Sequence, residues 1–161
     1  MDEKTKRVLL RFEAKCSRAE MCSDDVRAKV LKAFADEPDA AERTDEVMES
    51  LLSDRFVDDL RYASAFAREK SSLTGWGPVK IAYALAAKKI PRPVVTEALG
   101  GIDGEKSSDR LRKLLENKWK TLTGPDGKIP QDARLKLIKF ALSRGYEYDA
   151  VRNLLDEVTN G

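Results

Sequence analysis

Two adjacent carboxylate pairs, Asp24–Asp25 and Asp58–Asp59, two thiols, Cys16 and Cys22, and 30 Lys and Arg side chains are the groups here that could do chemistry. Paired carboxylates serve general acid–base catalysis or hold a divalent cation. A magnesium site needs further carboxylates converging on the pair, and no spacing in the chain supplies them. Both pairs fall instead where a helix start wants acceptors and negative charge. The thiols are six residues apart, off one helical face, and form no CxxC pair. They cannot supply four metal ligands, and they read as free thiols of a reducing compartment. The chain has no histidine, which removes Ser-His-Asp and Cys-His catalysis and a His-ligated zinc site. Neither GxxxxGKS/T nor GxGxxG occurs, and the Gly75–Trp76–Gly77 triplet is too short to cradle a phosphate. It reads as a joint between helices. No cluster of Lys, Tyr and carboxylates replaces the missing groups, so the expectation is a protein that is not an enzyme and takes no cofactor or metal.

Binding is what remains, and charge points to it. Residues 1–60 hold 11 basic and 16 acidic side chains, a net of −5. Residues 61–100 hold 7 and 2, a net of +5, and residues 106–144 hold 11 and 4, a net of +7. Residues 145–161 return to −3, with 1 basic and 4 acidic. Lopsided solvated helix faces would give the same counts; the alternative is a polyanionic partner or a charged protein surface. The candidate contact residues are Arg61, Arg68, Lys70, Lys80, Lys88 and Lys89, then Lys136, Lys139 and Arg144. Phosphates attract such arrays without reading sequence. Trp76 and Tyr83 lie among them and could stack on bases, although Trp76 also stands where it would pack over the joint. Tyr62, Phe66 and Phe140 read as core.

The elements that must position these residues are helices. Aromatics are 7% of 161 residues, and no sustained alternation or Asn-Gly hairpin signals a strand. A first helix fits residues 4–15, and Ser17 with Glu20 forms a capping box for a second running to Phe34 with Val26, Val30 and Leu31 inward. Pro38 opens a third with Val47, Met48, Leu51 and Leu52 inward, and Asp58 caps a fourth. Pro78 suits the first turn of a fifth. Pro91 and Pro93 end it and start a sixth, which Gly100 and Gly101 stop. The seventh carries Leu111, Leu114, Leu115 and Trp119; the loop 123–130 follows. The eighth carries Leu137, Ile138 and Leu142 and closes on a left-handed Gly145. The ninth carries Val151, Leu154, Leu155 and Val158. Residues 80–99 align without a gap on 136–155, a repeat of roughly 50–56 residues. The expected fold is all-α: an elongated array of three tandem three-helix repeats, about nine helices, divided as 1–56, 57–102 and 103–161. No apolar run approaches the roughly 20 residues that span a bilayer.

The stretches 56–70, FVDDLRYASAFAREK, and 75–90, GWGPVKIAYALAAKKI, resemble the central signature of the RecX family, regulators of the RecA recombinase. Phe56, Asp58, Asp59, Arg61, Tyr62 and Ala63 meet one motif, and Gly77, Lys80, Ile81 and Leu85 a second. Arg144, Gly145, Tyr146, Tyr148, Asp149 and Val151 meet a C-terminal one, and Ser17 to Glu20 are similar to an N-terminal one. The resemblance implies a cytoplasmic, monomeric, non-catalytic protein that lies in the groove of the RecA–DNA filament. Such a protein limits filament growth, ATP hydrolysis and strand exchange in recombination, DNA repair and the SOS response. Its partners would be RecA and DNA of either strandedness without regard to sequence. Trp76 and the nine cations named above would form the contact surface. Lys89 stands where the family usually has Gly. A left-handed residue there costs about 1 kcal/mol without Gly, so the fifth helix is expected to end differently, with Pro91 forcing the stop. Glu147 replaces a common Ser or Thr cap, and the loop 123–130 looks longer than usual. Two other readings are a stand-alone DNA-binding protein of tandem three-helix modules and a helical scaffold that binds only protein. The lone Trp76 and Trp119 argue against the first.

Overall fold

The computed structural model describes residues 1–160. Among them the chain is all-α, with no strand. The helices are α1 (Glu3–Arg18), α2 (Ser23–Ala33), α3 (Ala40–Ser53), α4 (Asp59–Glu69), α5 (Pro78–Ala87), α6 (Arg92–Gly100), α7 (Gly104–Leu122), α8 (Ala133–Ser143) and α9 (Tyr148–Asn160). A π-helical turn, Lys70–Thr74, follows α4. Two compact units form: Met1–Ala65 with Leu85–Val95, and Phe66–Ala84 with the chain from Thr96 onward.

In the first unit, Val8, Phe12 and Cys16 of α1 recur at four-residue steps and face Val26, Val30 and Phe34, then Val47, Met48 and Leu51. Full burial of such side chains stabilises by about 1.5–3 kcal/mol each. Leu31, Leu52 and, in the second unit, Leu142 are exposed rather than inward. Each directly follows a buried residue (Val30, Leu51, Ala141), and one helical step turns a side chain by about 100°. The capping box at Ser17 does not form. α1 runs on through Ser17, whose hydroxyl donates to the Glu13 carbonyl at 2.8 Å, because burying Cys16 holds that turn helical. The cap of α2 comes from far along the chain instead. Asp59 accepts the Ser23 N–H at 2.8 Å and its hydroxyl at 2.5 Å. Its neighbour Asp58 caps α4 through the Arg61 N–H at 2.9 Å, and that bond holds the Asp58 carboxyl below its usual range. Cys16 and Cys22 are free and buried, and burial pushes both thiols up, away from the reactive thiolate.

The end of α5 corrects the expectation for Lys89. It does adopt the left-handed conformation, with φ 60°. Ile90 N–H donates to Leu85 O at 3.2 Å and Lys89 N–H to Ala86 O at 2.9 Å, the paired bonds of a Schellman motif. Those bonds, together with the burial of Ile90 behind them, hold the motif without glycine. Replacing Lys89 by Gly is therefore expected to raise stability by about 1 kcal/mol, read as a higher urea midpoint at unchanged slope.

The second unit packs Leu111, Leu115 and Trp119 of α7 against Ala133, Leu137 and Ala141 of α8 and Val151, Leu155 and Val158 of α9. Gly145 closes α8 in the left-handed region, φ 92°, as its sequence position predicts.

Candidate functional site

The site starts at a joint made almost wholly of backbone. The π-helical turn ends on Gly75, φ 75°, and Trp76 N–H reaches back to Lys70 O at 2.9 Å. The next residue meets the end of α8: Gly77 N–H donates to Arg144 O at 2.7 Å, and Val79 N–H to Gly145 O at 2.9 Å. The Tyr146 hydroxyl donates to Gly75 O at 3.2 Å, and burial pushes this phenol up, which keeps its proton in place. There is no room for a side chain on either facing glycine. A Cβ on Gly77 would stand 2.6 Å from Tyr146 N and nearer still to the Gly145 carbonyl; one on Gly145 would collide with Lys80.

This joint holds a set of cations and aromatic rings. Trp76 is half-buried, edge-on to Phe66 at 6.3 Å, so it packs over the joint as one of its two sequence readings has it. The Lys70 and Lys80 ammonium groups lie 4.8 and 4.6 Å from the Trp76 ring centre. Arg144, beside Gly145, lies 4.9 Å from the centre of the Phe140 ring, and Lys118 of α7 4.7 Å. Rings beneath the cations hold them in place without neutralising them. None of Lys70, Lys80, Lys118 and Arg144 has a carboxylate within ion-pair reach among the described residues. Phe140 is half-buried under two cations rather than a plain core residue. Spacing does not tie Lys118 to it; only the packing of α7 on α8 does.

The other candidates fall elsewhere. Arg61 is tied down: it pairs with Glu20 and donates to the carbonyls of Arg55 and Phe56 at 3.0 and 3.3 Å. Lys88 pairs with Asp25 at 2.9 Å, a bond that raises the Lys88 pKa and lowers that of Asp25. Lys89 lies 3.8 Å from Asp24, and Lys136 3.4 Å from Asp132. Lys139 is exposed. Arg68 borders a cavity of about 220 Å³ with Lys106 and Arg110, where Arg110 donates to Ser71 Oγ at 2.7 Å. Tyr83 is 79% exposed. The arrangement can bind anions. Among the described residues no helix is long and apolar enough to cross a membrane.

The family model described as the RecX second three-helix domain matches residues 58–99, and that of the third matches 105–155. The regulatory protein RecX of Clostridium botulinum is 29% identical over 166 residues, covering 99% of this chain and 77% of that protein. That of Clostridium perfringens is 31% identical over 116 residues, covering 70% of this chain and 52% of its own length. The matched part is thus about half of several relatives. The crystal structure of RecX from Lactobacillus salivarius shares the fold along all of both chains, with a TM-score of 0.84 at 17% identity. A second RecX crystal structure gives 0.79 at 16%, over 96% of this chain and 72% of that one. With two domain matches in sequence order, relatives along nearly the whole chain and the same fold, the chain belongs to the RecX family of regulatory proteins.

Proposed function

We propose that this chain is a cytoplasmic, non-catalytic regulator that binds the RecA–DNA filament and lowers RecA ATP hydrolysis, filament growth and strand exchange. It does so as a monomer of three tandem repeats, residues 1–56, 57–102 and 103–161. One observation supports this reading above the others. Lys70, Lys80, Lys118 and Arg144 are cations without carboxylate partners, set on two rings beside a joint whose backbone has no slack. Such a surface suits a large, rigid polyanion, because unpaired cations release counterions on contact and a fixed joint keeps their spacing. Lys88, Lys89 and Lys136 enter the proposal as weaker contributors, since their charge is already met by acids. Arg61 serves as a tie within the fold.

The test is ATP hydrolysis by RecA on single-stranded DNA, titrated with this protein at two salt concentrations. Inhibition well below one copy per RecA, weakened by salt, is the expected result. No effect on RecA combined with a gel shift of bare duplex would replace the proposal with a stand-alone DNA-binding module. RecA binding that ignores salt would replace it with a protein-only scaffold.

A further inference from the structure

The N-terminal 60 residues are net acidic, yet α1 carries its charge in an ordered way. With about 100° per residue, Lys4, Arg7, Arg11, Lys15 and Arg18 fall within about 80° of arc. The buried Thr5, Val8, Phe12 and Cys16 fill the adjoining arc, and Glu3 and Glu13 lie off the stripe. Lys4 is met by Asp36 and Glu37 at 3.1 and 2.8 Å. No ion pair meets Arg7, Arg11, Lys15 or Arg18 among the described residues. Two of the four are held in place: the Arg11 guanidinium lies 5.3 Å and the Lys15 ammonium 5.1 Å from the centre of the Phe12 ring, itself 1% exposed. Lys4, Arg7, Val8 and Arg11 border, with Ala33 of α2, a cavity of about 390 Å³.

We infer that this face of α1 is a binding track for a single nucleic-acid strand, held through its phosphates. The steps between Arg7, Arg11 and Lys15 rise about 6 Å each, and the unpaired stripe from Arg7 to Arg18 runs about 16 Å. This is a line of like charges with no acid between them, which fits a polyanion whose charges repeat along one line. Guanidinium groups at Arg7 and Arg11 match phosphate oxygens in pairs, as a flexible ammonium does not. The inference stands apart from the filament reading, since it concerns bare strand and a different helix.

The probe is a labelled thymidine oligonucleotide of about 20 nucleotides, followed by fluorescence anisotropy across a salt series without RecA. Failure of the filament reading would leave this readout unmoved. The Arg7→Gln/Arg11→Gln variant is expected to weaken binding on the order of tenfold. It should also flatten the slope of log affinity against log salt by about 1.4, which is about 0.7 per lost phosphate contact. Arg7→Glu/Arg11→Glu should weaken it further, on the order of a hundredfold. Lys6→Glu, on the same helix but off the stripe, should leave the slope within error. Circular dichroism checks that helicity is kept; these side chains are exposed. Three outcomes overturn the inference: no binding by the unaltered protein at low salt, the same slope in the Gln variant, or displacement of the oligonucleotide by polyglutamate at equal charge.

Discussion

Replacing Gly145 by alanine is expected to lower stability by about 3 kcal/mol, from two causes that add. A left-handed residue with a Cβ costs about 1–2 kcal/mol, and forcing that Cβ into Lys80 adds an overpacking cost of about 1–3 kcal/mol. The obstacle is backbone as well as side chain, with Lys80 N 2.7 Å from the added atom, so rotamer change cannot relieve it. Gly77→Ala meets the same joint from the other side, against the Gly145 carbonyl and Tyr146 N. The two losses will not add in the double variant, because either one already opens the contact. A fall in melting temperature of about 6–12 °C corresponds to 3 kcal/mol in a chain of this size. Gly104→Ala is the control, since nothing stands within 4 Å of its added Cβ. A Gly145→Ala protein as stable as that control would show that the joint is looser than described.

Charge reversal at Lys70 and Lys80 is expected to weaken inhibition of RecA more than tenfold while leaving the melting temperature within about 3 °C. These ammonium groups lie over Trp76 and touch no carboxylate, so the fold loses little when they change sign. Lys88→Glu should behave in the opposite way. It sets a second carboxylate against Asp25, whose present partner is Lys88 at 2.9 Å. Stability should drop, and inhibition per folded molecule should fall far less than for Lys70 and Lys80. RecA ATPase titrations beside thermal melts separate the two classes. Equal loss of inhibition from both substitutions would sink the division between unpaired and paired cations.

Much of the architecture was legible in the sequence, because spacing and breakers report local physics directly. Pro78 at the first turn of α5, Gly145 as a left-handed stop and Asp58 as a cap all stand where the residue types place them. What was not legible depends on partners distant in sequence. Asp59 caps a helix 36 residues away, which no capping pattern around Ser17 could reveal. Lys89 keeps a left-handed turn without glycine because Ile90 is buried behind it. Of the candidate cations, spacing could not tell those whose charge is spent on Asp24, Asp25, Glu20 or Asp132 from those left open. The α1 stripe is a different kind of omission. Net charge over residues 1–60 averaged it away, although angular position on the helix, a property of sequence alone, would have displayed it.

The contact between Gly77 and the end of α8 also sets an order of events during synthesis. Gly77 and Val79 offer N–H groups to carbonyls at 144 and 145, which leave the ribosome 67 and 66 residues later. At about 5–20 residues per second, these donors have only water to bond for several seconds. The start of α5 is then a helix end waiting for its acceptor. Until that acceptor arrives, the segment just after Trp76 has no anchor at Gly77 and Val79. The anchoring of this joint is therefore among the last steps in the maturation of the nascent chain, and a chain released before Gly145 would lack it.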